Sequence, residues 1–118
     1  MTTQELKERT KTFAHRCVKL ALSLGDSFLE NHIKGQLIRA STSVAANYRA
    51  ACLAHSKASF SSKLSIVIEE ADESNFWMEF LLGENLMKET LATPLIKESN
   101  ELLAIFISSR KTIQTNRK

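Results

Sequence analysis

The chain contains little glycine and proline, with 3 Gly and 1 Pro among its 118 residues. Sheet proteins need turn residues at intervals of roughly 8 to 12 positions, so this scarcity argues against a β-rich fold. With 43% hydrophobic and 25% charged residues, the composition is that of an ordinary globular protein. A chain of this length can bury roughly two-thirds of its unfolded surface, which is enough for one core. We therefore predict a single, helical domain.

Cysteine is also scarce, since Cys17 and Cys52 are the only two, which are too few for a disulfide scaffold. The start of the chain offers no apolar signal segment, because charged side chains interrupt it. These side chains are Glu5, Lys7, Glu8, Arg9 and Lys11. No uncharged apolar run approaches the roughly 18 residues that span a bilayer. We therefore expect a cytoplasmic protein that does not insert into membranes.

Apolar side chains recur at intervals of three and four in four separate segments, the pattern of amphipathic helices. In the first segment, Thr2 and Glu5 have the spacing of a capping box, which predicts a helix start. Gly25 follows the last apolar residue and could take the left-handed conformation that ends helices. We predict the first helix at about residues 3–24.

The second segment is rich in small side chains, which predicts close approach to a neighbouring helix. The third runs without Gly or Pro until Gly83, and the fourth opens on Thr93 and Pro94, a helix-start signal. The predicted ranges of these helices are about 33–54, 57–87 and 94–114. Short connections make neighbouring helices antiparallel, so we predict an all-α, up-and-down four-helix bundle. Its interior should unite one residue from each helix, namely Leu20, Val44, Val67 and Phe106.

The sequence shows no motif for catalysis, and no histidine lies three residues after a glutamate, as di-iron bundles require. Cys52 and His55 could form half of a zinc site, but a second pair is missing. We therefore interpret Cys52 as a core residue and His55 as a surface residue. The acidic run at 69–73 is more typical of a solvated face or ion-pair partner than of an acid–base pair. We expect no enzymatic activity, no cofactor and no metal.

Charge is segregated along the chain. Residues 1–24 and 91–118 each carry five basic and two acidic side chains, whereas residues 56–90 carry three basic and seven acidic ones. This segregation is suited either to complementary contacts between subunits or to attraction of a polyanion.

Basic residues on the first, second and fourth helices are candidates for nucleic-acid contacts, because cations that approach phosphates release counterions. The candidates are Arg9, Lys11, Arg16, Lys19, Arg39, Arg49, Arg110 and Lys111. Lys7, Arg117 and Lys118 belong to the same basic set. If the first and fourth helices are neighbours, their cations would share one face. An oligomer would repeat that face once per copy. The alternative is that these charges only solubilise the surface.

The third helix has a second stripe, formed by Ile66, Glu70, Glu73, Trp77 and Phe80. Two stripes exceed what a monomeric bundle must bury, so this one is a candidate contact between subunits. Asn47 is either a hydrogen-bonded amide of ordinary structural role or a polar residue that fixes packing register. The oligomer or packing candidates are Asn47, Glu69, Glu73, Trp77 and Phe80.

Two stretches, residues 36–52 and 69–77, resemble the 23S rRNA intervening-sequence protein family. The arginines, the asparagine, the acidic run and the tryptophan of this chain all align with the family pattern in the same register. Phe60, Lys63, Leu64, Ile66, Leu81 and Leu82 continue the resemblance. The resemblance implies a left-handed bundle that assembles into a ring-like homopentamer, with genes in some bacteria embedded in interrupted 23S rRNA genes. A related branch, the accessory proteins of diversity-generating retroelements, is similar in fold and binds a reverse transcriptase and nucleic acid.

We therefore predict a non-enzymatic homo-oligomer, pentameric by this resemblance. Its expected partners are copies of itself together with RNA, DNA or a nucleic-acid enzyme. The alternative is a protein-interaction scaffold that binds a partner polypeptide and no nucleic acid.

Overall fold

The computed structural model describes residues 1–115, which form four α-helices and no strand. The helices are α1 (Thr3–Leu22), α2 (Phe28–Ala51), α3 (Lys57–Gly83) and α4 (Glu89–Thr115). Each helix packs against the next, and α4 returns to α1, while the backbones of the diagonal pairs stay farther apart and meet through core side chains such as Tyr48 and Phe106. The result is a rod of 50 × 21 × 20 Å. The predicted all-α, up-and-down four-helix bundle is confirmed.

The core runs along the axis of this rod. The four residues predicted to share it are all buried in one cluster: Leu20, Val44, Val67 and Phe106. The ring of Tyr48 packs on that of Phe106 with centroids 5.6 Å apart, and burial raises the pKa of Tyr48 to about 12. Within residues 1–115, no helix is both long enough and apolar enough to cross a bilayer.

Helix α1 begins at Thr3, as the capping box of Thr2 and Glu5 predicts, but ends at Leu22 rather than at 24. Gly25 does not adopt a left-handed conformation, so that part of the prediction is wrong. Its N–H instead donates to Glu30 Oε2 at 2.8 Å, and a Cβ at this position would lie 2.8 Å from the same oxygen. A side chain at this position would displace the Glu30 carboxylate, which is the end of a flexible side chain, so glycine favours this contact.

Helix α2 begins at Phe28, five residues before the predicted start at 33, and ends at Ala51 rather than at 54. Ser27 Oγ accepts the Glu30 N–H at 3.1 Å, and the Glu30 carboxylate accepts the Ser27 N–H at 3.4 Å. Hydrogen bonds from Ser27 and Gly25 lower the pKa of Glu30. This capping box starts the helix ahead of the apolar stripe that begins at Ile33.

Helix α3 ends at Gly83, four residues earlier than predicted. Asn85 follows with φ 56°, a left-handed conformation that asparagine adopts more readily than most residues. The Leu86 N–H donates to Leu81 O at 3.0 Å, and the Asn85 N–H donates to Leu82 O at 3.1 Å. This pair of bonds is a Schellman motif, which satisfies the last carbonyls and ends the helix.

Helix α4 begins at Glu89, so the predicted start at Pro94 is wrong and the proline lies inside the helix. Pro94 has no N–H, and the carbonyl of Thr90 therefore lacks its usual donor four residues later. Both residues are exposed, so water can hydrate that carbonyl. This solvation allows the helix to start one turn earlier than the proline predicts.

Candidate functional site

The seam between α1 and α2 opens into a groove of about 570 Å³, called here the basic groove. Its floor is made of small or apolar side chains, namely Ala14, Val18, Thr42, Ala45 and Ala46. Its rim carries Gln4, Lys7, Glu8, Lys11, His15 and Arg49. The small residues of α2 thus have two effects, because Ala40 and Ser41 are buried against the bundle while their neighbours leave a concave outer surface.

The cations of the basic groove are not neutralised within the described chain. Among residues 1–115, no carboxylate lies within ion-pair distance of Lys7, Lys11 or Arg49. Glu8 is the one acidic residue on the rim. A concave surface lined mainly by one sign of charge concentrates ligands of the opposite sign, so this groove suits an acidic partner.

A second surface lies on α3, where Phe76, Trp77 and Phe80 form what is called here the aromatic ridge. Phe76 is 52% exposed and Phe80 is 38% exposed, with their centroids 5.9 Å apart. Trp77 packs edge-on against Phe76 at 5.0 Å, and His32 of α2 packs on Trp77 at 5.5 Å. Contiguous exposed rings of this kind mark interaction surfaces.

Three acidic side chains, Glu69, Asp72 and Glu79, are exposed beside the aromatic ridge. Glu69 and Asp72 precede Phe76 by seven and four residues, so they lie along the same face of α3. The predicted packing candidates Trp77 and Phe80 therefore belong to the ridge, and Glu69 belongs to its rim. Phe76 was missed, although its position four residues before Phe80 on the same face is a usable signal.

Arg39, a predicted phosphate contact, instead joins α2 to α3. Its guanidinium donates to Glu70 at 2.8 Å and forms an ion pair with Glu73. The Trp77 indole N–H also donates to Glu73 at 3.4 Å. Glu73 therefore connects two helices inside one copy, and the charge of Arg39 is already compensated.

Arg9 has a similar position between α1 and α4. Its Nε and Nη2 donate to the two carboxylate oxygens of Glu98 at 2.7 and 2.6 Å, and Glu101 lies 3.6 Å away. The hydrogen bond to Glu98 raises the pKa of Arg9. Paired geometry of this kind is among the stronger charge-assisted contacts, so Arg9 acts here as a structural residue.

Arg16 and Lys19 line a hollow of about 350 Å³ between α1 and the start of α4, called here the α1/α4 hollow. Ser23 and Thr90 contribute hydroxyl groups, and no aspartate or glutamate lines it. The remaining lining residues are Leu20, Leu91, Pro94 and Leu95. The Ser23 hydroxyl donates to Leu20 O at 2.6 Å, so the two cations and the Thr90 hydroxyl are the groups suited to bind an anion.

The basic residues of α1 and α4 are distributed over separate surfaces rather than one face. Arg110 donates to Ser65 of α3 at 3.3 Å, and Lys111 is exposed. The antiparallel arrangement places this end of α4 far from Arg16 and Lys19. Arg117 and Lys118, the other two members of the predicted basic set, lie outside the described residues.

The remaining polar candidates have structural surroundings. Asn47 donates to Ser43 O of its own helix at 2.9 Å, which favours the ordinary structural interpretation. Cys52 is half-buried and His55 is exposed, and residues 1–115 contain no cluster of three metal-ligating side chains. The buried amide that sequence analysis missed is Asn75, which donates to Asn100 of α4 at 2.9 Å.

The fold and these surfaces define a four-helix bundle with charged and aromatic surfaces that no segment within residues 1–115 covers. Residues 3–108 match the model of the family described as 23S rRNA-intervening sequence protein, and the chain belongs to that family. It is also similar to a crystal structure of a protein with unknown function from the S23 ribosomal protein family from Bacteroides thetaiotaomicron VPI-5482. The identity is 31%, the TM-score is 0.81, and the match covers 94% of this chain and 99% of that one. The search of proteins with curated descriptions found no match.

Proposed function

We propose that this protein is a non-enzymatic helical bundle that assembles with copies of itself and binds nucleic acid in the assembled form. The number of copies proposed is five, which is the number that the family resemblance implies. The observation that supports the proposal is the separation of an exposed aromatic ridge from cations that have no partner within the described chain. A ridge provides a contact between copies, and separate cations remain available for phosphates.

The first part of the proposal, assembly with copies of itself, depends on the aromatic ridge. Aromatic residues contribute much of the binding energy in protein interfaces, and burial of one ring contributes roughly 1.5 to 3 kcal/mol. Phe76 is 52% exposed and Phe80 is 38% exposed, so each ring would gain about half of that amount on burial. Measurement of mass in solution tests it, with Phe76→Ser/Phe80→Ser as the variant and Ile107→Ser, an exposed residue of α4, as the control.

The wild type and the Ile107→Ser control should have the mass of several copies, and the ridge variant should have the mass of one. A wild-type mass of one copy at every protein concentration would overturn the assembly half. Far-UV circular dichroism of all three proteins verifies that each retains its helices.

The nucleic-acid half depends on the α1/α4 hollow. Arg16 and Lys19 make no ion pair within the described residues, whereas Arg9 and Arg39 are paired and are therefore removed from the proposed contacts. A single hollow supplies few phosphate contacts. Assembly repeats it once per copy, so that weak contacts on one nucleic-acid molecule combine. The proposed ligand is therefore a structured RNA or a DNA duplex rather than a free phosphate.

Titration of the wild type with structured RNA and with duplex DNA, at about 50 mM and about 200 mM salt, tests this half. Arg16→Gln/Lys19→Gln should weaken binding at least about tenfold and reduce the salt slope by roughly 2 per engaged copy. Lys57→Gln/Lys63→Gln removes the same charge from α3, at the other end of the bundle, and should have little effect. Absence of wild-type binding, or binding that is independent of salt, would overturn the proposal.

The aromatic ridge also favours a second candidate, a scaffold that docks a partner polypeptide and binds no nucleic acid. Aromatic surfaces with a polar rim are typical of protein partners. A purified partner that stays bound after nuclease treatment, and binds equally well to Arg16→Gln/Lys19→Gln, would support this alternative.

A further inference from the structure

We propose that the aromatic ridge of one copy binds in the basic groove of a second copy. This inference rests on the self-association proposed above and adds to it the identity of the two surfaces. They are different parts of the chain, so the contact is head-to-tail, with a ridge and a groove used once by each copy.

Shape supports this pairing. Phe76 and Phe80 are one helical turn apart and project from a single helix, whereas the groove lies between two helices and has a floor of small side chains. Helices pack by inserting a row of side chains from one helix into the depression between rows of another. The groove volume of about 570 Å³ can accommodate two aromatic rings.

Charge supports it independently. Glu69, Asp72 and Glu79 are exposed beside the ridge and make no ion pair within the described chain. The groove presents Lys7, Lys11 and Arg49, which are also unpaired there. Docking the ridge in the groove would bring these two sets together, which gives the complementarity that fixes the orientation of an interface.

The competing arrangement is a twofold contact of ridge against ridge. It would place the carboxylates that flank both ridges at one interface and supply no exposed cation of the groove to offset them, and an excess of one charge at an interface is unfavourable. It would also leave the cations of the groove without partners. The charges of the molecule therefore favour the head-to-tail contact.

The positions of the ridge and the groove also affect whether the assembly closes into a ring. The groove lies on the α1/α2 side, and the ridge lies toward the α2/α3 side, where Trp77 contacts His32. Head-to-tail contacts form closed rings when each copy is rotated relative to the last, and open filaments when the rotation does not close. Surfaces on neighbouring sides of a bundle give a large rotation per copy, which favours a small closed assembly.

Two variants test the pairing when they are mixed. Phe76→Ser/Phe80→Ser disables the ridge and keeps the groove, while Lys11→Glu/Arg49→Glu reverses the groove and keeps the ridge. Each alone should have the mass of one copy. Their equimolar mixture should give a 1:1 pair with the mass of two copies and nothing larger, because one intact ridge meets one intact groove.

A mixture that stays at the mass of one copy would overturn the pairing, as would a groove variant that assembles like the wild type. Either result, with an assembled wild type, leaves self-association standing and rejects only this choice of surfaces. A wild type that never assembles would reject the proposed function itself. Lys57→Glu/Lys63→Glu carries the same change of charge on α3 and should assemble normally.

Exchanging the charges of the ridge and the groove within one chain gives a second test of the pairing. Glu69→Lys/Asp72→Lys should weaken assembly at least about tenfold, since cations would then face cations. The same chain with Lys11→Glu/Arg49→Glu added should regain most of that loss. If the combined variant is as weak as either parent, the carboxylates and the groove cations do not meet.

Discussion

The Cys17 thiol shows how one buried group makes the stability of the molecule depend on pH. The side chain is fully buried beside Ser41, and burial raises its pKa from 9.0 to about 12. Above pH 9 the unfolded chain loses this proton while the folded chain keeps it. Because the folded state then holds more protons, the free energy of unfolding falls as pH rises from about 9 to about 12.

We expect Cys17→Ala to flatten this dependence. The variant should be less stable at pH 8 because it loses buried contacts, yet its stability should fall less between pH 9 and pH 10. The difference in slope should be up to about 1.4 kcal/mol per pH unit. Urea unfolding at pH 8, 9 and 10 measures it, with Leu81→Ala as a control that loses buried contacts and keeps the thiol. Equal slopes in the wild type and in Cys17→Ala would contradict the prediction.

At the scale of the helix, Ser27 and Glu30 decide where α2 begins. Ser27→Ala removes the acceptor of the Glu30 N–H, so we expect a loss of about 1 kcal/mol in the free energy of unfolding. The Glu30 amide should also exchange faster with solvent. Denaturant unfolding and hydrogen exchange measure the two effects. Ser62→Ala, at an exposed position inside α3, should leave the free energy of unfolding unchanged. An unchanged Glu30 exchange rate in Ser27→Ala would contradict the role of Ser27 as the cap of α2.

The pair of Arg9 and Glu98 fastens α1 to α4, which are the least closely packed neighbours of the bundle. A double-mutant cycle with Arg9→Met and Glu98→Gln should give a coupling of about 1 kcal/mol that shrinks in high salt. Glu101 provides the comparison, because it lies farther from Arg9, at 3.6 Å, and is 57% exposed. The Arg9/Glu101 coupling should be close to zero, and equal couplings for both carboxylates would argue against the paired geometry.

Helix interiors could be predicted from the spacing of apolar residues, but helix ends depend on local hydrogen bonds that the spacing does not show. The capping box at Thr2 predicts the start of α1, whereas the same spacing at Ser27 lies ahead of the apolar stripe from which the start of α2 is predicted, at Ile33. Pro94 was assigned to the first turn, although a solvated carbonyl allows it in the second. The Schellman motif at Asn85 was likewise overlooked because asparagine is less obvious than glycine as a helix terminator.

The types of residue in the candidate site could be predicted from the sequence, but which of these residues lie together could be predicted less well. Trp77 and Phe80 could be placed on an outer stripe of α3, since one helix determines that face. The partners of Arg9 and Arg39 could not be found, because they depend on how neighbouring helices are rotated and shifted against each other. The grooves likewise depend on side chains from two helices, so they emerge only from the assembled bundle.

At the scale of the whole molecule, the surfaces are segregated as the charge pattern of the chain suggests. Acidic and aromatic residues of α3 lie on one side, unpaired cations of α1 and α2 lie on an adjacent side, and the α1/α4 hollow lies on another. A rod with a complementary pair of sides can associate laterally and keep its remaining side free. This arrangement permits assembly and nucleic-acid binding at the same time, because the two use different residues.

Coupling between assembly and folding gives a prediction for the molecule as a whole. If copies associate only when folded, mass action raises the wild-type Tm as the protein concentration increases. Phe76→Ser/Phe80→Ser should have a Tm that is constant over a roughly hundredfold range of concentration. The folded single copy of this variant should remain helical, since both rings are partly exposed. By contrast, Phe106→Ala in the core should lower the free energy of unfolding by roughly 3 to 5 kcal/mol. Calorimetry across that range measures the effect, and a wild-type Tm independent of concentration would show that folding and assembly are not coupled through the ridge.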